Sequence, residues 1–267
     1  VNEGQGNMSE GGGILVNRQP VEQGKSFGVQ AEEKLYTEMK IGGLQKTSLI
    51  EFPGKLSCII FAQGCNLRCP FCHNPGLVLP EQFSPPLQEN EVLSFLGKRK
   101  EYLKGIVLSG GEPCFQKDLP LFLKEARNMG YAIKLDTNGT IPDMIRLLIE
   151  EALVDYIAMD VKAPLEKYRI LTGVETNTRN IEESISIIRG SGIEYEFKTT
   201  VVFPLLDKKD FEAIGKLVKN AGIHYIQRFS PSKTLDSRCM SFAPPGEEDM
   251  EEIRKTMLKN VRECRIR

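Results

Sequence analysis

The sequence predicts an α/β fold, a partial (βα)6 TIM-like barrel whose parallel sheet is open on one side. From residue 56 onward, six short apolar or β-branched segments alternate with longer segments of helical periodicity, which is typical of a parallel sheet with right-handed crossovers. Six such units are two fewer than a closed barrel contains. In addition, polar or glycine-rich motifs follow the strands, at the edge where barrels of this kind build their sites.

Each predicted strand is rich in β-branched or other apolar residues, and each predicted helix has apolar residues three or four positions apart. The strands are 56–62, 105–109, 132–135, 156–159, 195–203 and 225–229. The helices are 89–103, 118–129, 141–152, 178–190 and 208–221. A last helix is expected over 247–262, where the apolar residues of one face are Met250, Ile253, Met257, Leu258 and Val261. Its charged residues fit a solvated face better than a docking patch.

The composition divides the chain into three regions. Residues 1–38 are rich in Gly, Glu, Gln and Asn and lack apolar periodicity, so we predict a disordered N-terminal tail. Residues 39–235 carry the alternating pattern and form the core domain. Residues 236–267 form a C-terminal extension with the amphipathic helix. The compact pattern begins at Met39, and we expect the functional polypeptide to start near there.

The charge balance argues against several classes of partner. Thirty-five basic and 36 acidic residues leave a net charge of −1, which gives no field to attract nucleic acid or an anionic membrane. No run of about 18 apolar residues could span a bilayer, and we find no secretory signal pattern. We therefore expect a cytoplasmic protein with no nucleic-acid or membrane partner. Seven cysteines, an odd number, fit metal ligands and free thiols better than disulfides.

Three of these cysteines form a cluster directly after the first predicted strand. Cys65, Cys69 and Cys72 have C-x3-C-x2-C spacing. Soft thiolates select zinc, copper(I) or iron–sulfur clusters over hard cations. Three protein ligands on a four-iron cubane would leave one iron open to a small molecule, which points to catalysis rather than electron storage.

Other interpretations of the cluster stay open. A structural zinc site usually has four ligands, no second C-x2-C or H-x3-H pair is present, and His73 could join only by crowding Cys72. The run from Cys69 to His73 also fits a c-type haem attachment motif. That motif implies export, which nothing in the sequence supports. A structural or electron-transfer iron–sulfur module is a further alternative.

Five more polar motifs belong to the later strands. They are 109–113 after the second strand, 136–139 after the third, 160–162 after the fourth, 198–200 within the fifth and 227–231 at the end of the sixth. Each alone could be a turn, a helix cap or a surface ion pair. Because the carboxyl ends of barrel strands meet on one face, their joint placement predicts a single site.

The cysteine run 64–75, with Ser109-Gly-Gly-Glu-Pro113 and Asp136-Thr-Asn-Gly139, resembles the radical S-adenosylmethionine (SAM) enzymes, whose C-x3-C-x-aromatic-C motif it matches. The segment 43–54 and the Cys-His-Asn-Pro ending resemble the glycyl-radical enzyme activating enzymes, in particular those of anaerobic ribonucleoside-triphosphate reductase. The resemblance covers about residues 39–235, which it identifies as a radical SAM core domain.

The resemblance implies roles for individual residues. Cys65, Cys69 and Cys72 would hold a 4Fe-4S cluster. The SAM-binding residues would be Phe71 and His73 beside the adenine, Gly110, Gly111 and Glu112 at the methionine amino group, Asp160 and Lys162 by the ribose and carboxylate, and the neighbouring Thr137, Asn138 and Val161. A monovalent cation would have Asp136, Thr137, Met159 and Asp160 as its candidate ligands.

The resemblance also implies a function. An external donor, a flavodoxin or ferredoxin-type protein, would reduce the cluster, SAM would be cleaved, and the resulting 5′-deoxyadenosyl radical would take a glycine hydrogen from a glycyl-radical enzyme, in particular anaerobic ribonucleotide reductase. The open side of the barrel would admit the glycine loop. Radical SAM chemistry on a small molecule or nucleotide base is the alternative, and a non-catalytic iron–sulfur module is less favoured.

The sequence departs from the activating enzymes in one respect. A family member places a ribose-contacting histidine after its last barrel strand, whereas residues 227–233 contain none. His224 should lie at the opposite end of the barrel as a structural residue. Cys58 and Cys114 are expected in the core, and Cys239 and Cys264 have no predicted role.

Overall fold

The computed structural model describes residues 38–267. The predicted tail therefore lies outside the described residues, apart from Glu38. Within the described range, no helix is both long enough and apolar enough to cross a bilayer.

Eight strands form one sheet, and their order in the sheet follows their order in the chain. They are β1 (Ile41–Ser48), β2 (Ser57–Ala62), β3 (Gly105–Gly110), β4 (Ala132–Thr137), β5 (Tyr156–Asp160), β6 (Glu194–Val201), β7 (Ile223–Arg228) and β8 (Glu263–Ile266). β1 pairs antiparallel with β2, and every other pair is parallel. The sheet is open because β1 and β8 are its two edges. The predicted open, mostly parallel α/β sheet is confirmed.

The α-helices are α1 (Pro75–Val78), α2 (Glu89–Arg99), α3 (Leu119–Asn128), α4 (Pro142–Glu150), α5 (Tyr168–Thr172), α6 (Thr178–Gly190), α7 (Asp210–Leu217) and α8 (Glu247–Met257). The longer ones follow parallel strands and cover the outside of the sheet with their apolar faces. α8 buries Met250, Ile253 and Met257, as its amphipathic pattern predicts. It ends before residue 262, and Leu258 remains 38% exposed.

All six predicted strands are present, and the structure adds an edge strand at each end. β1 contains Gly42 and Gly43 and continues into exposed polar residues, so it lacks the β-branched run that marks a buried strand. β8 has only four residues, two of them charged and exposed. It pairs with β7, so the C-terminal extension continues the sheet of the core domain.

A second, smaller core fills the inside of the barrel. It consists of Phe52, Ile59, Val107, Tyr156 and Ala158, and it lies towards the amino ends of the strands. The ring of Phe52 packs so close to Gly105 that a Cβ there would lie 2.7 Å from Phe52 Cδ1. This apolar layer closes the floor of the barrel, so the polar side chains further along the strands meet at the other end.

Candidate functional site

The loop between β2 and α1 carries the three clustered cysteines. Cys65, Cys69 and Cys72 line one cavity of about 440 Å3 at the carboxyl ends of the strands, here named the mouth cavity. Arg68 Nη1 donates to the carbonyl oxygen of Cys65 at 2.7 Å, and the Cys72 N–H donates to the carbonyl of Cys69 at 3.0 Å. The main chain thus shapes the loop, and none of the three cysteines is in a disulfide.

This donor set fits an iron–sulfur cubane better than a single metal ion. Among residues 38–267, no three or more His, Cys, Asp or Glu side chains converge as ligands of one ion, whereas cubane ligands each bind a different iron and stand further apart. His73 is held elsewhere, because its Nε2 lies 2.7 Å from the carbonyl oxygen of Ser230 and its ring stacks on Phe229. It is therefore not placed as a fourth ligand.

The thiols of the cluster loop are largely withdrawn from water. Burial raises the pKa of Cys65 to about 11 and the pKa of Cys69 to about 12, an effect that the nearby Lys162 ammonium partly opposes. Both are protonated at neutral pH in the protein without metal. Cluster binding must therefore release protons from the site.

The turn after β3 is pressed against the cluster loop. Gly110 has φ +106°, and a Cβ there would lie 2.7 Å from the main chain of Ala62. A Cβ on Gly111 would lie 2.0 Å from the carbonyl oxygen of Gly64. Only glycine fits at either position, so the two glycines bring the main chain of this turn to the wall of the mouth cavity.

Glu112 joins two of the turns that line the cavity. It is 1% exposed; its Oε1 accepts hydrogen bonds from Cys114 N at 3.0 Å and Thr137 Oγ1 at 2.7 Å, and its Oε2 accepts one from Asn138 N at 2.7 Å. Burial raises its pKa, although these hydrogen bonds act in the opposite direction. The Cys114 thiol makes a further side-chain hydrogen bond to Glu112, so the roughly four acceptor positions of the carboxylate are all taken within the protein.

Asn138 connects the turn after β4 to the cluster loop. Its Nδ2 donates to Asn66 Oδ1 at 3.0 Å, and Asn66 Nδ2 donates to Thr140 Oγ1 at 2.7 Å. Its Oδ1 accepts a hydrogen bond from the Thr140 N–H at 2.9 Å. Asn66 and Thr140 are not among the predicted site residues, and no local pattern distinguishes them from ordinary turn residues.

Five charged side chains, two of them buried and three partly buried, lie inside the barrel below the cysteines. They are named here the upper network: Lys134, Asp136, Asp160, Lys162 and Lys198. Lys134 Nζ is 2.5 Å from Asp136 Oδ1, and Lys162 Nζ is 3.3 Å from Asp160 Oδ2. Burial opposes the charge of Lys162, yet Asp160 holds its pKa above the ordinary value. The network contains three ammonium groups and two carboxylates, so it is suited to an anionic ligand group.

All of the predicted site residues line the mouth cavity except Met159 and Val161. The side chain of Met159 is buried against Gly139, and Val161 bonds to β6 through its backbone. No individual role was predicted for the further polar lining residues, which are Glu51, Asn74, Ser109, Lys198, Thr200 and Gln227. Ser109, Lys198, Thr200 and Gln227 nevertheless belong to the motifs that were predicted to meet at one site.

His224 lies apart from this lining, as predicted. It is fully buried, and its Nε2 lies 3.1 Å from Thr199 Oγ1. Burial lowers its pKa to about 3, so it is neutral at physiological pH. Its position and its charge fit a structural role.

The fold and the site together define an iron–sulfur protein of the open α/β-barrel class, with room for a small molecule beside the cluster ligands. The chain belongs to the radical SAM superfamily, whose family model matches residues 59–218. Its cofactors are accordingly a 4Fe-4S cluster and SAM. Phe71, Asp160 and Lys162 line the mouth cavity together with the three cysteines.

Similarity to individual proteins extends over most of the chain. A Methanocaldococcus jannaschii protein named as a glycyl-radical enzyme activating enzyme is 33% identical over 234 residues, 85% of this chain and 95% of that protein. The pyruvate formate-lyase-activating enzyme of Clostridium pasteurianum is 25% identical over 188 residues, 68% of this chain and 76% of that enzyme. These similarities confirm the predicted resemblance to the activating enzymes.

Among solved structures, QueE from Escherichia coli has a TM-score of 0.50 and 16% identity, covering 84% of this chain and 92% of QueE. At this level of identity the likeness concerns the fold alone. It matches the open, mostly parallel barrel described above.

Proposed function

We propose that this protein is a radical SAM activase that abstracts a hydrogen atom from a glycine of a partner protein. The observation that carries the proposal is the 33% identity to a protein named as a glycyl-radical enzyme activating enzyme, which extends over 95% of that protein. A second relative is named for the activation of pyruvate formate-lyase. The first similarity covers 85% of this chain and the second covers 68%.

The residues of the mouth cavity have distinct tasks in this proposal. Cys65, Cys69 and Cys72 hold the cluster, which with bound SAM supplies a carbon-centred radical by reductive cleavage. Asp160 and Lys162 orient the charged groups of SAM, and Glu112 holds the turns after β3 and β4 together beside the cavity. The apolar side chains of Leu67 and Val78 border the same cavity and help to exclude water from the radical.

The open side of the barrel supports a protein substrate. β1 and β8 each have a strand neighbour on one side only, so the barrel wall is interrupted between them. A glycine-bearing loop of a partner could approach through this interruption, whereas a closed barrel would admit ligands only at its ends. We propose that a folded protein presents its glycine in this way.

The finer proposal concerns the partners. We propose anaerobic ribonucleotide reductase as the glycyl-radical enzyme, on the resemblance of residues 43–54 and of the Cys-His-Asn-Pro ending. A flavodoxin or ferredoxin-type protein would supply the electron. The reaction would take place in the cytoplasm under anaerobic conditions, because a reduced cubane with an open iron is sensitive to oxygen.

The test begins with anaerobic reconstitution of the chain with iron and sulfide, followed by reduction in the presence of SAM. Formation of 5′-deoxyadenosine is expected, and its absence would refute the enzymatic role. Anaerobic ribonucleotide reductase is then added, and a glycine-centred doublet is expected in the electron paramagnetic resonance spectrum. A reductase whose radical-bearing glycine is replaced by alanine is the matched control. Formation of 5′-deoxyadenosine without a glycine-centred doublet, for every glycyl-radical enzyme tested, would favour a small-molecule or nucleotide substrate.

A further inference from the structure

Lys198 lies between two buried carboxylates of the barrel interior. Its Nζ is 3.8 Å from Asp136 Oδ2 and 3.5 Å from Asp160 Oδ2. The side chain is 14% exposed and lines the mouth cavity. Strand register fixes this position, because Lys198 on β6 stands directly opposite Asp160 on β5.

The residues predicted to bind a monovalent cation have other side-chain contacts within the protein. Thr137 Oγ1 donates to Glu112 at 2.7 Å, and the side chain of Met159 packs against Gly139 outside the cavity lining. Asp136 is occupied as well, because it accepts from Lys134 Nζ and from Ser109 Oγ at 3.0 Å. A dissolved cation would have to displace these contacts.

Two buried carboxylates near one another require positive charge, since each would otherwise raise the pKa of the other. Here that charge comes from the protein. Burial acts to raise the pKa of Asp136, but Lys198 and Lys134 outweigh it and hold the pKa below its ordinary value. The carboxylate therefore remains ionised without an external ion.

We propose that Lys198 is a built-in counter-ion that replaces a dissolved monovalent cation between Asp136 and Asp160, so that SAM binding needs no such cation. Lys198 acts as a positioning residue, because its ammonium group keeps Asp160 aligned with Lys162 at the cavity. The proposal concerns the cofactor site alone and is independent of which protein supplies the glycine.

The test uses the full-length chain with its cluster reconstituted anaerobically. SAM binding is measured by equilibrium dialysis, and melting temperature by calorimetry, in potassium chloride, sodium chloride and choline chloride at equal ionic strength. The wild type should bind SAM equally, within about twofold, in all three salts because Lys198 already supplies the charge. Tighter binding by the wild type in potassium or sodium than in choline would overturn the proposal without any variant.

Lys198→Met removes the charge and keeps an unbranched side chain. In choline chloride it should weaken SAM binding by roughly tenfold or more, because Asp136 and Asp160 then share two lysines instead of three and no ammonium group lies between them. Potassium or sodium should restore much of the loss, together with part of the melting temperature. Lys198→Arg should behave as the wild type does. Loss of binding without selective rescue by an alkali cation would contradict the proposal.

Two controls separate this effect from general damage. Lys46→Met replaces an exposed lysine of β1 and should change neither measurement. Lys198→Met combined with Asp160→Asn removes one positive and one negative charge, so the response to alkali cations should disappear. Iron content is measured for every variant, so a failure to load the cluster is distinguished from a failure to bind SAM. A cation response that persisted in the double variant would overturn the assignment.

Discussion

Two charge networks lie within the same barrel, and they differ in whether their charges are balanced. The lower network consists of Glu196, Arg267, Tyr156 and Tyr225. Arg267 donates to both oxygens of Glu196 at 2.6 and 2.9 Å, and Tyr156 Oη donates to Glu196 Oε2 at 2.9 Å. The upper network has three lysines and only two carboxylates, which leaves one positive charge uncompensated.

The two networks also differ in their access to a ligand. None of the lower-network residues lines the mouth cavity, whereas Asp136, Asp160, Lys162 and Lys198 do. Burial raises the pKa of Tyr156, so this tyrosine stays protonated and donates to Glu196. The Glu196–Arg267 pair has a buried carboxylate whose two oxygens are both hydrogen-bonded, so it favours one conformation of the side chains. The upper network lies beside a cavity and has one more positive than negative charge, so it is instead suited to bind an anionic group.

The largest effect is expected from a substitution that prevents cluster binding and leaves both networks in place. Cys69→Ala deletes one of three ligands, so iron content and 5′-deoxyadenosine formation should both fall to background. The free energy of unfolding before reconstitution should change by only about 1 kcal/mol, as for loss of one small buried group. Iron analysis, product chromatography and urea denaturation check the three expectations.

Cys58→Ala is the matched control for this variant. Cys58 is fully buried in β2 and lies outside the lining of the mouth cavity. The substitution should cost a comparable amount of stability and retain iron. Full SAM cleavage by Cys69→Ala would contradict the assignment of the cluster ligands.

Breaking the lower network should affect stability rather than the site. Glu196→Gln removes the carboxylate that pairs with Arg267, and we expect a loss of about 2–3 kcal/mol in the free energy of unfolding, below the full cost of a buried pair because Arg267 is partly exposed. SAM affinity of the folded protein should stay within about twofold, since lower-network residues do not reach the cavity.

Glu183→Gln provides a surface comparison for the lower network. Glu183 pairs with Arg146, and both side chains are nearly half exposed. Such pairs contribute about 0–1 kcal/mol, so its denaturation curve should nearly overlay that of the wild type. An equal loss for the two variants would mean that burial of Glu196 gives no additional stability.

Breaking the upper network should affect the site rather than stability. Lys162→Met removes an ammonium group from the cavity wall, and SAM binding should weaken by about 10- to 100-fold, the range for lost hydrogen bonds to charged groups. Lys167→Met, at an ion pair with Asp207 and Asp210 outside the mouth cavity, is the control. Equilibrium dialysis with reconstituted protein measures both. Unchanged affinity in Lys162→Met would remove this residue from the SAM site.

The interior of the fold was predictable because strands β2 to β7 have neighbours on both sides and are largely buried, which leaves a nearly continuous apolar run in β2, β3 and β5. The edges were not predictable in the same way. β1 has a strand partner on one side only, and its sequence is that of a glycine-rich polar segment. It nevertheless packs so closely that a Cβ on Gly42 would lie 2.4 Å from Leu77 Cδ2. Such long-range packing leaves no local pattern.

The site was predictable where its chemistry lies in one short segment. The cysteine spacing and the Gly-Gly-Glu turn both predicted residues that line the mouth cavity. Asn66 acts through partners more than 70 residues away, so its neighbours in the chain give no indication of its role. Lys134 could have been noticed, because a lysine inside an apolar strand has to be paired when it is buried.

The smallest expected effect concerns how the ionisation of Asp136 in the upper network makes stability depend on pH. Lys198 and Lys134 hold the pKa of Asp136 below its ordinary value in spite of burial. The resulting stabilisation is fully present above the pKa of the unfolded chain, near 3.9, and is lost as pH falls through the lower pKa of the folded state. In the variant Asp136→Asn, the side chain at this position no longer titrates.

The stability difference between wild type and Asp136→Asn should therefore be constant from pH 7 to about 5 and should shrink only below about pH 4. Urea denaturation of both proteins before cluster reconstitution measures this difference. If the difference already declined between pH 7 and 5, the pKa of Asp136 would be raised, and the lysines of the upper network would not compensate its burial.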